Sequence, residues 1–251
     1  SYQLATDIDL SASVIMNGGL GWQGIGTNDF PFGGKLDGNG YQIVGMQLVR
    51  PPQGYAGLFG VCSSASIHSL RLQKSNILAD IYVGGLAGKT VLSNITDIDY
   101  QGSISARETI GGIVGYLDRS TLENSDAMAV VICYGNNYAG GLVGFMQSDA
   151  ETQAQIHRCS SSGSVYGYYN SGGLVGCISS GILSNSYSHA MVKGYQATGG
   201  AVGRLGDGSF SGTIEHCYAT GYQDYAPGGW GNGGLGGYFW SGTTTSCFWD
   251  T

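Results

Sequence analysis

The side chains most able to do chemistry in this sequence are four histidines, 17 acidic residues, six cysteines and many serines. Zinc-dependent peptide hydrolysis needs two His four apart on a helix with a Glu between them, and no HExxH occurs around His68, His157, His189 or His216. Carboxylate-driven cleavage of polysaccharides needs Asp or Glu clustered on one face. The acidic residues of the central and C-terminal region, among them Asp97, Asp99, Glu108, Asp118, Glu123, Asp126, Asp149, Glu151, Asp207, Glu215 and Asp224, fall at different positions of a repeat. A serine nucleophile has no GxSxG elbow here and no His at a defined partner spacing. The GxG phrases lack the strand, glycine turn and helix of a dinucleotide site. The chemistry-bearing residues therefore read as a non-enzyme, and attention passes to the elements that carry them.

Those elements repeat. A phrase of small residue, Gly and two apolar residues closed by Gly recurs as YAGLFG from Tyr55, VGGLAG from Val83, IGGIVG from Ile110, AGGLVG from Ala139, SGGLVG from Ser171, TGGAVG from Thr198 and a looser GGLGG from Gly233. The marker glycines Gly57, Gly85, Gly112, Gly141, Gly173, Gly200 and Gly234 are spaced by 28, 27, 29, 32, 27 and 34 residues. Periods of this size mean a solenoid, a propeller or an array. Apolar and polar residues alternate in both halves of each repeat, as in SIHSLRLQKSNI from Ser66, and no helical stripe persists. A propeller blade needs about four strands in 40–50 residues, so the shorter repeat fits one coil of an all-β, single-stranded parallel β-helix. Right-handed winding is the expectation for parallel crossovers. Glycine at the corners would supply positive φ and let backbones pass closely.

Residues 1–54 differ from the repeat but alternate too, and DGNG at Asp37–Gly40 signals a turn before a strand. They read as opening coils of the solenoid, with 55–251 as the repeat array of the same continuous domain. Aligning the second halves of the repeats gives an inward column of Leu70, Ile98, Ser125, Cys159, Ser186, Cys217 and Cys247. Cysteine there reads as a small apolar residue interchangeable with Ser. Cys159 and Cys217 are two coils apart, about 10 Å by the strand spacing and beyond disulfide reach. Only Cys217 and Cys247 are near enough to pair, and free thiols throughout are the expectation. His68 and His157 share a column three coils apart, about 14 Å, too far to share a zinc ion.

Composition narrows the partners. A net charge of −7 with no basic run excludes a phosphate backbone, and no apolar run of 18 residues spans a membrane. Asp7, Asp9 and Asp37 lie near turns, where Asp bonds backbone amides; a Ca²⁺ site there, or between the equivalent Asp99 and Asp126, is the cofactor reading left open, without EF-hand spacing. Aromatics gather in the turns before the glycine phrases. Tyr134, Tyr166, Tyr168, Tyr195, Tyr222, Tyr225 and Trp230 are the candidate ligand-binding residues, since stacking would align several of them along one edge of the rod.

The phrase GGLVG at Gly140–Gly144 and Gly172–Gly176, with YQLATDIDL, FGGKLDGNGYQIVGMQL, YAGLFG and the closing SCFWDT, resembles the GLUG-motif family over essentially the whole chain. The resemblance implies segments of large secreted or surface-displayed bacterial proteins, including adhesin-like and pilus-associated proteins and stalks of immunoglobulin-A-cleaving metallopeptidases. MAVVICYG at Met128–Gly135 and the 34-residue last interval depart from the pattern and leave the local loop geometry open. The expected function is a non-enzymatic adhesion or display module at the cell surface, a piece of a longer chain and monomeric by itself, recognising a glycan or a cell-surface protein. The alternatives are a polysaccharide-degrading β-helix enzyme and an ice-binding solenoid, for which only Thr243–Thr245 hints at a threonine ladder.

Overall fold

The computed structural model describes residues 1–225 and 228–250. Thr251 of the closing SCFWDT, and Ala226 and Pro227 of the long last interval, lie outside the described residues. Among the described residues 31 short strands form three sheets of 19, 5 and 7 strands, and paired strands run parallel from coil to coil. The chain is a parallel β-solenoid of about seven turns. One turn shows the plan: Ala87–Val91 lies in the seven-stranded sheet, Asn94–Ala106 in the long sheet and Glu108–Gly111 in the five-stranded sheet. Strand 126–133, which contains most of the aberrant MAVVICYG, alternates without fault, pairs along its whole length with the preceding coil and over 126–132 with the following one.

The alternation places apolar side chains in stacked inward columns. Ile67, Ile95, Leu122, Ile156, Leu183 and Ile214 stand in register on six coils and are fully buried. Burying each such side chain contributes about 1.5–3 kcal/mol. Tyr100 is also wholly inside, its hydroxyl accepting a hydrogen bond from Ser75 Oγ at 2.8 Å. Its ring fills the space beside Gly85, where a Cβ would lie 2.0 Å from it.

The corners correct the expectation about glycine. Ser69, Asp97, Asn124, Arg158, Asn185, His216 and Ser246 all turn with φ between 48° and 57°, one on each successive coil. Leu92 and Arg119 also take positive φ at a second corner, and Tyr82, Thr109, Asn170 and Ala197 do so at a third. Positive φ is uncommon outside Gly, and stacked corners impose it on whatever residue stands there. The phrase glycines serve close approach instead. A Cβ on Gly112, Gly141 or Gly173 would lie 2.0–2.1 Å from the carbonyl oxygen of the next coil. One on Gly115 would meet the Val83 amide nitrogen at 2.5 Å, so the outer faces of two sheets fold against each other at the phrase. No side chain fits in that crease.

The Ser/Cys column stands in the expected register, from Leu70 and Ile98 through Ser125, Cys159, Ser186 and Cys217 to Cys247, but its chemistry differs from simple small-residue packing. Each of its Ser and Cys residues follows a left-handed corner. Ser125 Oγ donates to Glu123 O at 2.7 Å and accepts the Ile98 amide at 3.1 Å, and Ser186 repeats the arrangement on Ser184 and Cys159. The thiols of Cys159, Cys217 and Cys247 also donate to the carbonyl two residues back, at 3.2–3.3 Å. The column is therefore a polar staple along one corner. All six cysteines are free.

The opening region joins the same stack: Tyr2–Gln3 pairs with Lys35–Asp37, and that strand pairs with Ser66–Leu78. It includes 3₁₀ turns at Ser11–Gly19, a local departure from the alternation read there, which leave Val14 and Ile15 exposed.

Candidate functional site

The aromatic edge is built by stacking. Tyr169 pairs with Gln196, which sets Tyr168 against Tyr195 on the next coil, and the Tyr195 amide donates to Tyr168 O at 3.1 Å. The two rings lie 4.9 Å apart at 23°, with Tyr169 edge-on to Tyr168 at 4.7 Å. Tyr168 remains 45% exposed, so the pair is ordered by the coils and open to solvent. Offset aromatic pairs of this kind form a rigid amphipathic surface. Tyr225 lies on the following coil beneath Gly194, the residue before Tyr195, and exposed Tyr222 immediately precedes that strand.

Other candidate positions are not gathered there. Tyr166 belongs to an outward column with Lys193 and Asp224, which form an ion pair at 2.7 Å. Tyr134 is exposed, and its hydroxyl donates to Ala79 O at 3.3 Å. Trp230 packs edge-on against Tyr238 at 5.0 Å, which in turn reaches Trp240 at 5.9 Å. The seven residues thus divide into a central pair with Tyr225 and Tyr222 beside it, and outlying members.

The carboxylates are engaged locally. Asp99 and Asp126 face each other in register, Arg71 continues their column on the preceding coil, and the Ser160 hydroxyl donates to Asp126. Asp7 accepts from the Gln42 amide and side chain, Asp9 from the Ser11 amide, and Asp37 from the Asn39 amide at 2.7 Å and Gln3 Nε2 at 2.9 Å. Hydrogen bonding holds these three carboxyls below the ordinary Asp value, from the Gln42 amide at Asp7, from Ser11 at Asp9 and from the Asn39 amide at Asp37. Among the described residues no cluster of three or more His, Cys, Asp or Glu is placed to hold a metal ion. His68 and His157 occupy one column with Thr96 and Glu123 between them, as their spacing implied.

Two aromatic arrays were not among the candidates. Tyr55, Tyr82, Tyr116 and Phe145 form a continuous run over the glycine crease, with successive ring separations of 5.1, 5.6 and 5.2 Å. Lys89 Nζ stands 4.9 Å from the Tyr116 centroid. On the long sheet, Tyr187, Tyr218 and Phe248 stand in register on three coils. The signal for the second array was available, because each follows directly on a member of the Ser/Cys column and must point outward.

Residues 194–223 match the family model described as the GLUG motif. The chain carries the GLUG motif. The matched segment is one coil of the solenoid, and the same phrase stands in register on the coils before it. Halomucin of Haloquadratum walsbyi is 33% identical over 132 residues, 51% of this chain. A provisionally named Gly-rich membrane protein of Evansella cellulosilytica is 39% identical over 101 residues, 38% of this chain. The aligned segments span 1% and 12% of these relatives' own lengths. A crystal structure at 1.30 Å of a Bacteroides ovatus protein, provisionally named an immunoglobulin A1 protease, covers 98% of this chain and 67% of its own with a TM-score of 0.53. At 19% identity that likeness is one of fold. No helix among the described residues is long and apolar enough to cross a membrane.

Proposed function

We propose that this GLUG solenoid is a non-catalytic segment of a cell-surface protein, a stiff rod whose tyrosine edge adheres to a glycan or a cell-surface protein. The observation that carries the reading is the Tyr168–Tyr195 stack, held on adjacent coils with Tyr168 nearly half exposed. Aromatic surfaces with a polar tip favour partners that offer apolar faces ringed by hydrogen-bonding groups. The names of the two relatives, halomucin and a Gly-rich membrane protein, support a surface location. The protease name of the structural neighbour adds no activity here, because this sequence has no HExxH and no GxSxG.

The test is adherence of the purified protein to a panel of whole cells, beside a glycan array. Binding to at least one surface, lost in the Tyr168→Ala/Tyr195→Ala double variant, is the expected result. Adherence that is absent, or indifferent to the double variant, would sink the tyrosine edge. Release of new chain ends from any polysaccharide would overturn the non-catalytic reading.

A further inference from the structure

The outward column beside the Ser/Cys staple changes character along the rod. On the earlier coils it carries Arg71, Asp99 and Asp126, then Ser160, and on the last three Tyr187, Tyr218 and Phe248. Tyr187 and Tyr218 are 45% and 39% exposed, although each is anchored in a strand between buried neighbours. They line an open trough of about 480 Å³ with Asn185, Ser186, His189 and His216.

The walls of this trough are held in place. His189 packs edge-on to Tyr187 at 5.1 Å, and its ring nitrogen is hydrogen-bonded to the Thr220 hydroxyl of the next coil. On the other side Asn185 and His216 stand at left-handed corners, with φ of 49° and 51°, which fixes where their side chains leave the backbone. None of the six lining residues is Lys, Arg, Asp or Glu. Phenol rings carried on paired strands, an amide and two imidazoles suit a ligand that alternates apolar C–H faces with hydroxyl groups. An anionic polymer would find no fixed cation in the trough, and would approach a chain of net charge −7.

We infer that the trough between Tyr187 and Tyr218, continued by Phe248, is a binding site for an uncharged oligosaccharide laid across the coils. The strands that carry these aromatics are spaced by about 4.8 Å, close to the length of one pyranose unit in an extended chain. Each coil thus offers one aromatic platform and one polar corner residue per sugar. The site lies on the long sheet, apart from the tyrosine edge that precedes the five-stranded sheet, and goes beyond the adhesion reading.

Titration calorimetry of the purified protein with cellohexaose, mannohexaose and chitohexaose, and with oligogalacturonate as the anionic comparison, tests the inference. At least one neutral hexasaccharide should bind, with oligogalacturonate at least tenfold weaker. Tyr187→Ala and Tyr218→Ala should each weaken binding at least tenfold, and Phe30→Ala, at an aromatic 82% exposed and outside both sites, should leave it unchanged. Because both trough tyrosines are half exposed, circular dichroism should show these variants folded; His216→Ala, at an exposed corner, provides a second readout with an expected severalfold loss. Binding by none of the three neutral probes, a preference for oligogalacturonate, or affinity insensitive to Tyr187→Ala and Tyr218→Ala would overturn the site. Hexasaccharide binding that survives Tyr168→Ala/Tyr195→Ala while cell adherence is lost would separate this site from the tyrosine edge.

Discussion

Ser186 Oγ accepts the amide of Cys159 on the preceding coil at 3.1 Å and donates to Ser184 O at 2.7 Å. One hydroxyl thereby closes its own corner and ties it to the corner before. Ser125 does the same for Ile98, and at a second corner Ser93 and Ser120 bond the amides of Ala65 and Ser93. The rod is held at its edges by these polar staples as well as by its apolar columns.

Ser186→Ala leaves the buried Cys159 amide without its partner, which costs about 1–3 kcal/mol. The urea midpoint should fall accordingly. Ser186→Cys should lose less, because Cys fills the equivalent place at positions 159 and 217.

Thr90 shows the opposite case. Its hydroxyl is buried with no hydrogen-bond partner, as are those of Ser171 and Thr198 among the described residues. Thr90→Val removes an unsatisfied polar atom while keeping the shape, and should raise stability by about 1 kcal/mol, read as a higher Tm.

Gly141→Ala places a methyl 2.0 Å from Gly173 O. The atom it meets is backbone, so the coils must part. A loss of about 3 kcal/mol or more is expected, by thermal melting. Gly135 would also meet backbone, the Arg107 carbonyl at 2.2 Å, whereas Gly18 has open space but a φ of +69°. Gly18→Ala should therefore cost only about 1 kcal/mol, from backbone strain alone.

Alkali should weaken the fold through its thiols. Burial pushes Cys62, Cys159, Cys177 and Cys217 up to about 12, from about 9 for an exposed thiol. The folded chain keeps protons that the unfolded chain releases, so this contribution is complete below about pH 9 and is lost as pH rises towards 12. Each thiol should remove about 1.4 kcal/mol per pH unit over that window. Urea midpoints at pH 8 and pH 10, under reductant, should show the fall, and Cys159→Ser should reduce it by one thiol's share. An unchanged pH slope in that variant would exclude the thiol as its source.

The legible features were those governed by period. A repeat of 27–34 residues with two-residue alternation admits few ways to bury an apolar face, so the solenoid, its coil length and the order of the Leu70-to-Cys247 column could be read directly. The tyrosine edge was legible only in composition. Which of its members meet depends on how far each turn projects, and Tyr168 with Tyr195 came together while Tyr134 and Trp230 did not.

From sequence alone, then, the chain is a GLUG solenoid with small residues in its crease and without the HExxH or GxSxG motifs, because spacing and residue size are properties of the string itself. The tertiary structure decided what the glycines are for, which residues take the left-handed corners, and that Tyr187, Tyr218 and Phe248 form a row. Those depend on contacts between residues about 30 positions apart, where a one-residue slip in register changes which side chains face each other.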